Sequence, residues 1–292
     1  MSSTLAARLA ALVAALALGL PALAQEPDRA VAPEVSAIQA AEAEARPMLP
    51  APQAIEIPIL VYHHVVPGRS SGLLFVTPDT FDQQLKYLKD NDYQSVSFDD
   101  LADCLEYGAP LPERPVILSF DDGWENQFAN GFPLLQKYGF TATFFVVTNY
   151  LDRPNFMTTE QLKTMIAAGM TIGGHSRSHP ALPSIGNAQR LKDEIAGSKA
   201  WLEDRLGVAI DAFAYPYGSY TPAVAATVKA AGYRTARTVD SGTHAALDNL
   251  DTLPAIVFPA FMSRYRVVVE VAASDMKGGD AGPQPSRVRL RP

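Results

Sequence analysis

Cysteine is nearly absent. Cys104 is the only one in 292 residues, which excludes an internal disulfide framework and any zinc site built from several thiolates. It falls on a short amphipathic stretch and reads as buried filler. Basic charge is also in deficit, with 24 Lys and Arg against 31 Asp and Glu and a net charge of −7. That balance argues against nucleic acid as a partner, because such binding draws its affinity from neutralising phosphates. Long apolar runs are missing as well. The N-terminal run Leu9–Leu20 falls short of the roughly 20 residues that a membrane-spanning helix needs. It follows Arg8, ends at Pro21 and precedes Ala22-Leu23-Ala24, the small residues of a signal-peptidase site. Residues 1–24 therefore read as a signal peptide, with an exported chain, periplasmic or extracellular, and no transmembrane span after cleavage.

What remains is ordinary globular composition, 48% hydrophobic and 19% charged, which rules out collagen-like, wholly disordered and multi-span proteins. Residues 25–54 are rich in Ala and Pro and hold no aromatic residue. They bury too little apolar surface to order themselves, and read as a linker. Residues 271–292 read as a flexible tail. Between 55 and 270 the periodicity alternates. Strand-like runs at Ile57–Tyr62, Tyr93–Phe98, Val116–Phe120, Thr141–Val147, Met170–Gly173 and Ile210–Tyr215 are separated by helical stripes. Thr77-Pro78 and Thr221-Pro222 open helices as N-cap and first turn, Thr158 and Gln161 form a capping box, and Gly207 closes the longest helix. Strands alternating with helices predict one α/β domain with parallel strands and crossover helices.

Two clusters stand where strands end. Asp121-Asp122-Gly123 follows the strand at Val116–Phe120, and the carboxyl ends of parallel strands are where functional groups gather. A turn with an N-cap is the alternative for that tripeptide. His175 and His179, in Gly173-Gly174-His175-Ser176-Arg177-Ser178-His179-Pro180, are spaced to grip one ion from a single turn. Ser176 directly after the first histidine excludes the zincin arrangement, which needs Glu there. Two imidazoles and one carboxylate would leave a coordination position open for water, and the second carboxylate would be free as a base.

At these residues the chain resembles the polysaccharide deacetylases of carbohydrate esterase family 4, which share the NodB homology domain, over roughly residues 57–260. The resemblance rests on Ser119-Phe120-Asp121-Asp122-Gly123, His175-Ser176-Arg177-Ser178-His179 and Phe213-Ala214-Tyr215-Pro216-Tyr217-Gly218, three motifs in family order. It implies a distorted, incomplete (β/α) barrel and a metal-dependent hydrolase acting on N-acetylated polysaccharide. It also implies Asp121 as general base and Asp122, His175 and His179 as ligands of one divalent ion, zinc with cobalt or nickel as alternatives. The main-chain N–H of Tyr217 would face the oxyanion. Tyr215, Tyr217 and Trp124 are candidates to line a sugar groove.

Tyr62-His63-His64-Val65 looks like the branch that deacetylates exported poly-β-1,6-N-acetylglucosamine. Departures from the family pattern accompany it. The usual late Leu-x-His is absent, and Leu253-Pro254-Ala255 carries Ala255 where that branch has Arg. The general acid must then come from His63, from His64 as second candidate, or from His244 as a distant third. The arginine that orients the base in the third motif is missing too, with Arg234 and Arg237 as candidates to replace it. These departures keep two other readings open: a carbohydrate-binding domain without turnover, and a deacetylase of peptidoglycan or O-acetylated xylan.

Overall fold

Thirteen residues after Thr77 form a helix because Thr77 and Pro78 start it as expected: the threonine hydroxyl accepts from Thr80 N at 3.1 Å and Pro78 occupies the first turn. The structure, a computed structural model, describes residues 51–68, 72, 74–257, 265 and 269. The segments read from sequence as a signal peptide (1–24) and a tail (271–292), and nearly all of the one read as a linker (25–54), lie outside those residues. In chain order the elements are β1 (Ala54–Glu56), β2 (Ile59–Tyr62), β3 (His64–Val65), β4 (Phe75–Val76), α1 (Pro78–Asp90), β5 (Gln94–Ser95), α2 (Phe98–Tyr107), β6 (Pro115–Phe120), α3 (Phe132–Tyr138) and β7 (Thr143–Val146). They continue with α4 (Thr159–Ala167), β8 (Thr171–Gly174), α5 (Ala188–Leu206), β9 (Ala212–Ala214), α6 (Pro222–Ala230), β10 (Thr235–Arg237), β11 (His244–Ala246) and β12 (Ile256–Val257).

The main sheet runs β10-β9-β8-β7-β6-β2-β12, with β5 on the start of β6, and every pairing in it is parallel. It curls, and one isolated bridge ties Arg237 of β10 to Leu253, in the segment leading to β12. This is a distorted, incomplete (β/α) barrel. Both faces of the sheet are covered, which is why β2 and β6 read as unbroken apolar runs. Ile59, Val61, Ile117, Phe145, Ala212 and Ala214 pack inward with Phe98, Leu101, Leu253 and Ala255. Their neighbours Leu60, Tyr62, Leu118, Phe120, Phe144 and Val146 pack outward under the helices.

Three details differ from the expectation. The strand at Tyr93–Phe98 shrinks to β5, because Ser97 and Asp100 form a capping box that claims Phe98 for α2. The stretch with Phe128 contains one π-turn, Gln127–Gly131, before α3. Strands β10 and β12, each too short for a periodic signal, went unread. Cys104 is buried, and Trp201 packs against the core with Arg205 over its ring at 4.4 Å.

Candidate active site

The pleat register aims the chemistry. Side chains alternate along a strand, so the inward row Ile59, Val61 continues to His63, Ile117 and Ser119 continue to Asp121, Gly173 continues to His175, and Thr235 continues to Arg237. All four end at the carboxyl edge of the barrel, where His63 and Asp121 approach at 3.7 Å and Asp121 pairs with Arg237. A Cβ on Gly173 would strike the Phe145 ring and lie 3.0 Å from Ala212 O. Glycine there is a packing requirement.

Asp122 breaks the pleat. Its φ of 74° turns its carboxylate to the same side as Asp121. Asp122 Oδ1 lies 3.5 Å from His175 Nε2 and 3.4 Å from His179 Nε2, and the two imidazole nitrogens are 3.1 Å apart. Three ligands on a zinc-like ion at about 2.0–2.1 Å, tetrahedrally disposed, sit roughly 3.3–3.4 Å from one another. The donor atoms therefore fit one such ion, and these residues form the metal-type cluster found among the described residues. The second nitrogen of His175 is tied to Ala214 O at 2.7 Å, which leaves Nε2 facing the cluster. Trp124 Nε1 donates to the other Asp122 oxygen at 2.9 Å.

Electrostatics separate these groups. Burial and the neighbouring His175 push His179 down to about 4. Burial opposes the charge on His175 as well, but Asp121 and Asp122 outweigh it and raise that imidazole above its ordinary value. Burial would raise Asp122, yet hydrogen bonding and charge from His175 hold it well below the usual carboxylate range. His63 is lowered by burial, with Asp121 pulling the other way.

Asp121 is held separately from the cluster. It is 3% exposed and ion-paired with Arg237, which is fully buried and lies 4.9 Å over the Phe145 ring. Arg234 is elsewhere, bound to Asp103 at 2.8 Å and Glu106 at 2.7 Å. Gln127 Nε2 ties the Asp121 carbonyl at 2.5 Å and the His63 carbonyl at 2.7 Å, so one side chain spaces the two strand ends. His64 is stacked between Phe75 and Trp124, at 4.6 and 4.4 Å, with Asn126 Nδ2 3.2 Å from its Nδ1. Of the two adjacent histidines, His63 is the one whose Nε2 approaches Asp121. His244 sits on the exposed β1–β11 ribbon, paired with Glu56 at 2.9 Å, outside the cluster.

The third motif divides. Tyr217 is 66% exposed, has a φ of 61° and sets its ring edge-on to His179 at 4.6 Å. Tyr215 is a correction: its ring is 1% exposed among Phe213 and Tyr220, with its hydroxyl donating to Asp251 O at 2.8 Å. No face is left for a sugar. Trp124 is half-buried between His64 and Phe156.

Residues 108–236 match the family model for polysaccharide deacetylase. Over that window the chain is similar to the polysaccharide deacetylases. The chain is 29% identical over 187 residues to YxkH of Bacillus subtilis strain 168, named for the same family, spanning 64% of this chain and 66% of that protein. It is 30% identical over 157 residues to the poly-β-1,6-N-acetyl-D-glucosamine N-deacetylase of Staphylococcus epidermidis, spanning 49% of this chain and 54% of that one. The chain thus covers between half and two thirds of the length of these relatives. Among solved structures, the Streptococcus pyogenes deacetylase PplD in complex with acetate superposes with a TM-score of 0.69 at 29% identity, covering 76% of this chain and 98% of that one. The window matched by the family model holds Asp121, Asp122, His175, His179 and Tyr217. His63 and His64 precede it, and Arg237 follows it by one residue.

Sequence reasoning missed Gln127 and Asn126, whose roles depend on tertiary approach. It also missed Glu194, which bonds the main chain between the two cluster histidines.

Proposed function

We propose that the chain is an exported, divalent-metal-dependent hydrolase that removes N-acetyl groups from polysaccharide containing N-acetylglucosamine. One observation carries this reading: three donor atoms of Asp122, His175 and His179 converge beside a carboxylate, Asp121, that is not among them. Asp122, His175 and His179 would hold a divalent ion, zinc on this donor set with cobalt or nickel as alternatives, which would polarise an acetamide carbonyl and make water a better nucleophile.

The chain's own residues do the rest. Arg237 occupies Oδ1 of Asp121, so Oδ2 is the atom that takes the proton of the attacking water. Oδ2 faces His63 Nε2 at 3.7 Å. Burial keeps His63 neutral at rest, so the proton it delivers to the leaving amine is one it receives through Asp121 during the reaction. Water adds to the carbonyl carbon, the C–N bond breaks, and acetate and a free amine leave. The main-chain N–H of Tyr217 is the donor we assign to the developing oxyanion. Its ring and that of Trp124 flank the groove. Export rests on residues 1–24.

Acetate release from poly-β-1,6-N-acetylglucosamine, peptidoglycan and O-acetylated xylan tests this reading. Amide-linked acetate should be released, chelator should stop it, zinc should restore it, and Asp121→Asn should abolish it. Release from acetyl esters alone would reassign the substrate. Saturable glycan binding without release from any of the three would make the chain a binding domain.

A further inference from the structure

Glu194 is 6% exposed on α5, and no step above uses it. Its Oε2 accepts from Arg177 N at 3.0 Å and Ser178 N at 2.8 Å, and its Oε1 accepts from Ser178 Oγ at 2.5 Å. Three charge-assisted bonds thus converge on the two residues between the ends of the histidine loop. Those residues are flanked by Ser176, with φ 62°, and His179, with φ 59°. Non-glycine residues keep left-handed conformations only where their surroundings over-determine them.

The two histidines are oriented by different means. His175 is 2% exposed and has its second ring nitrogen on Ala214 O. Among the described residues no hydrogen bond holds the Nδ1 of His179, so its direction comes from the loop backbone. That backbone is gripped by Glu194, by Ser176 Oγ accepting from His179 N at 2.9 Å, and by Asn149 N donating to Arg177 O at 2.9 Å.

We infer that Glu194 is a positioning residue that sets the metal affinity of the cluster by fixing the loop that aims His179, an inference that rests on the metal reading above. The carboxylate carries the rigidity of α5 into that loop and keeps Nε2 of His179 where the other two donors already point.

The test is zinc affinity and zinc release rate of the metal-free full chain, measured by competition with a chromogenic chelator. Glu194→Ala should bind zinc roughly 10–100-fold more weakly and release it faster, the loss common on removing outer-shell support. Glu194→Gln should stay close to wild type, because its amide oxygen can accept from both N–H groups while its NH₂ donates to Ser178 Oγ. Ile195→Val, a cavity on the same helix turned away from the loop, should leave affinity unchanged. If Glu194→Ala does not fold, Ser178→Ala removes one of the three bonds and should show a smaller loss in the same direction. Wild-type affinity in Glu194→Ala or Ser178→Ala, with His179→Ala impaired, would overturn the role of Glu194 alone. So would an equal loss in Ile195→Val. Wild-type affinity in His179→Ala would overturn the metal reading and this inference with it.

Discussion

Replacing Arg237 by Met probes the ion pair it forms with Asp121 inside the barrel. Methionine approximates the volume of the aliphatic stem and removes the charge, leaving the Asp121 carboxylate, 3% exposed, without its partner. Stranding a buried charge costs about 3–5 kcal/mol, a large share of the roughly 5–15 kcal/mol that holds a domain together. The lost contact of the guanidinium with the Phe145 face at 4.9 Å acts in the same direction. For a domain of this size such a loss lowers the melting temperature by about 6–20 °C. Urea unfolding at neutral pH, followed by tryptophan fluorescence, should show a lower midpoint with an unchanged slope. Adding Asp121→Asn to Arg237→Met removes the stranded charge and should recover stability to within about 1–2 kcal/mol of wild type. A loss below about 1 kcal/mol in Arg237→Met, or no recovery in the double variant, would refute the claim that Asp121 depends on Arg237.

Zinc affinity should fall at least about tenfold from pH 7.5 to 5.5, because the ion must displace a proton from His175, whose value lies above 6.5, while His179 near 4 stays neutral; calorimetric titration at the two pH values checks this, and equal affinities would contradict it. His63→Gln should reduce kcat for acetate release by about 10²–10⁴-fold, whereas His244→Gln, altered on the exposed ribbon beside Glu56, should leave it within about twofold; parallel assays of both decide between them. Gly173→Ala should destabilise the fold by about 1–3 kcal/mol through overpacking against Phe145 and Ala212 O, read as a lower urea midpoint.

The elements that positioned the cluster were legible because each leaves a local mark. Apolar runs covered on both faces announced β2 and β6, and Thr77-Pro78 and the Thr158–Gln161 box announced helix starts that the structure shows. The parallel α/β arrangement followed from their alternation, and the incomplete barrel from the family resemblance. Arg237 could be named as a candidate but not chosen over Arg234, since its three-residue strand carries no periodicity and its partner is 116 positions away. Tyr215 was misjudged for a related reason. Motif membership does not say which face of β9 a following ring takes, and the register buries this one beside Phe213. Gln127 was invisible because its partners are main-chain groups, which carry no residue identity, and the same holds for two of the three bonds to Glu194.

The central claim is that Asp122, His175 and His179 hold one divalent ion beside Asp121. Anomalous diffraction at the zinc edge, from crystals of the mature chain grown with zinc, tests it most directly. The account predicts one peak about 2.0–2.2 Å from Asp122 Oδ1, His175 Nε2 and His179 Nε2 together, and no peak there in crystals of His179→Ala. An anomalous map empty at that point in the wild type, or a peak bound by other side chains, would contradict it.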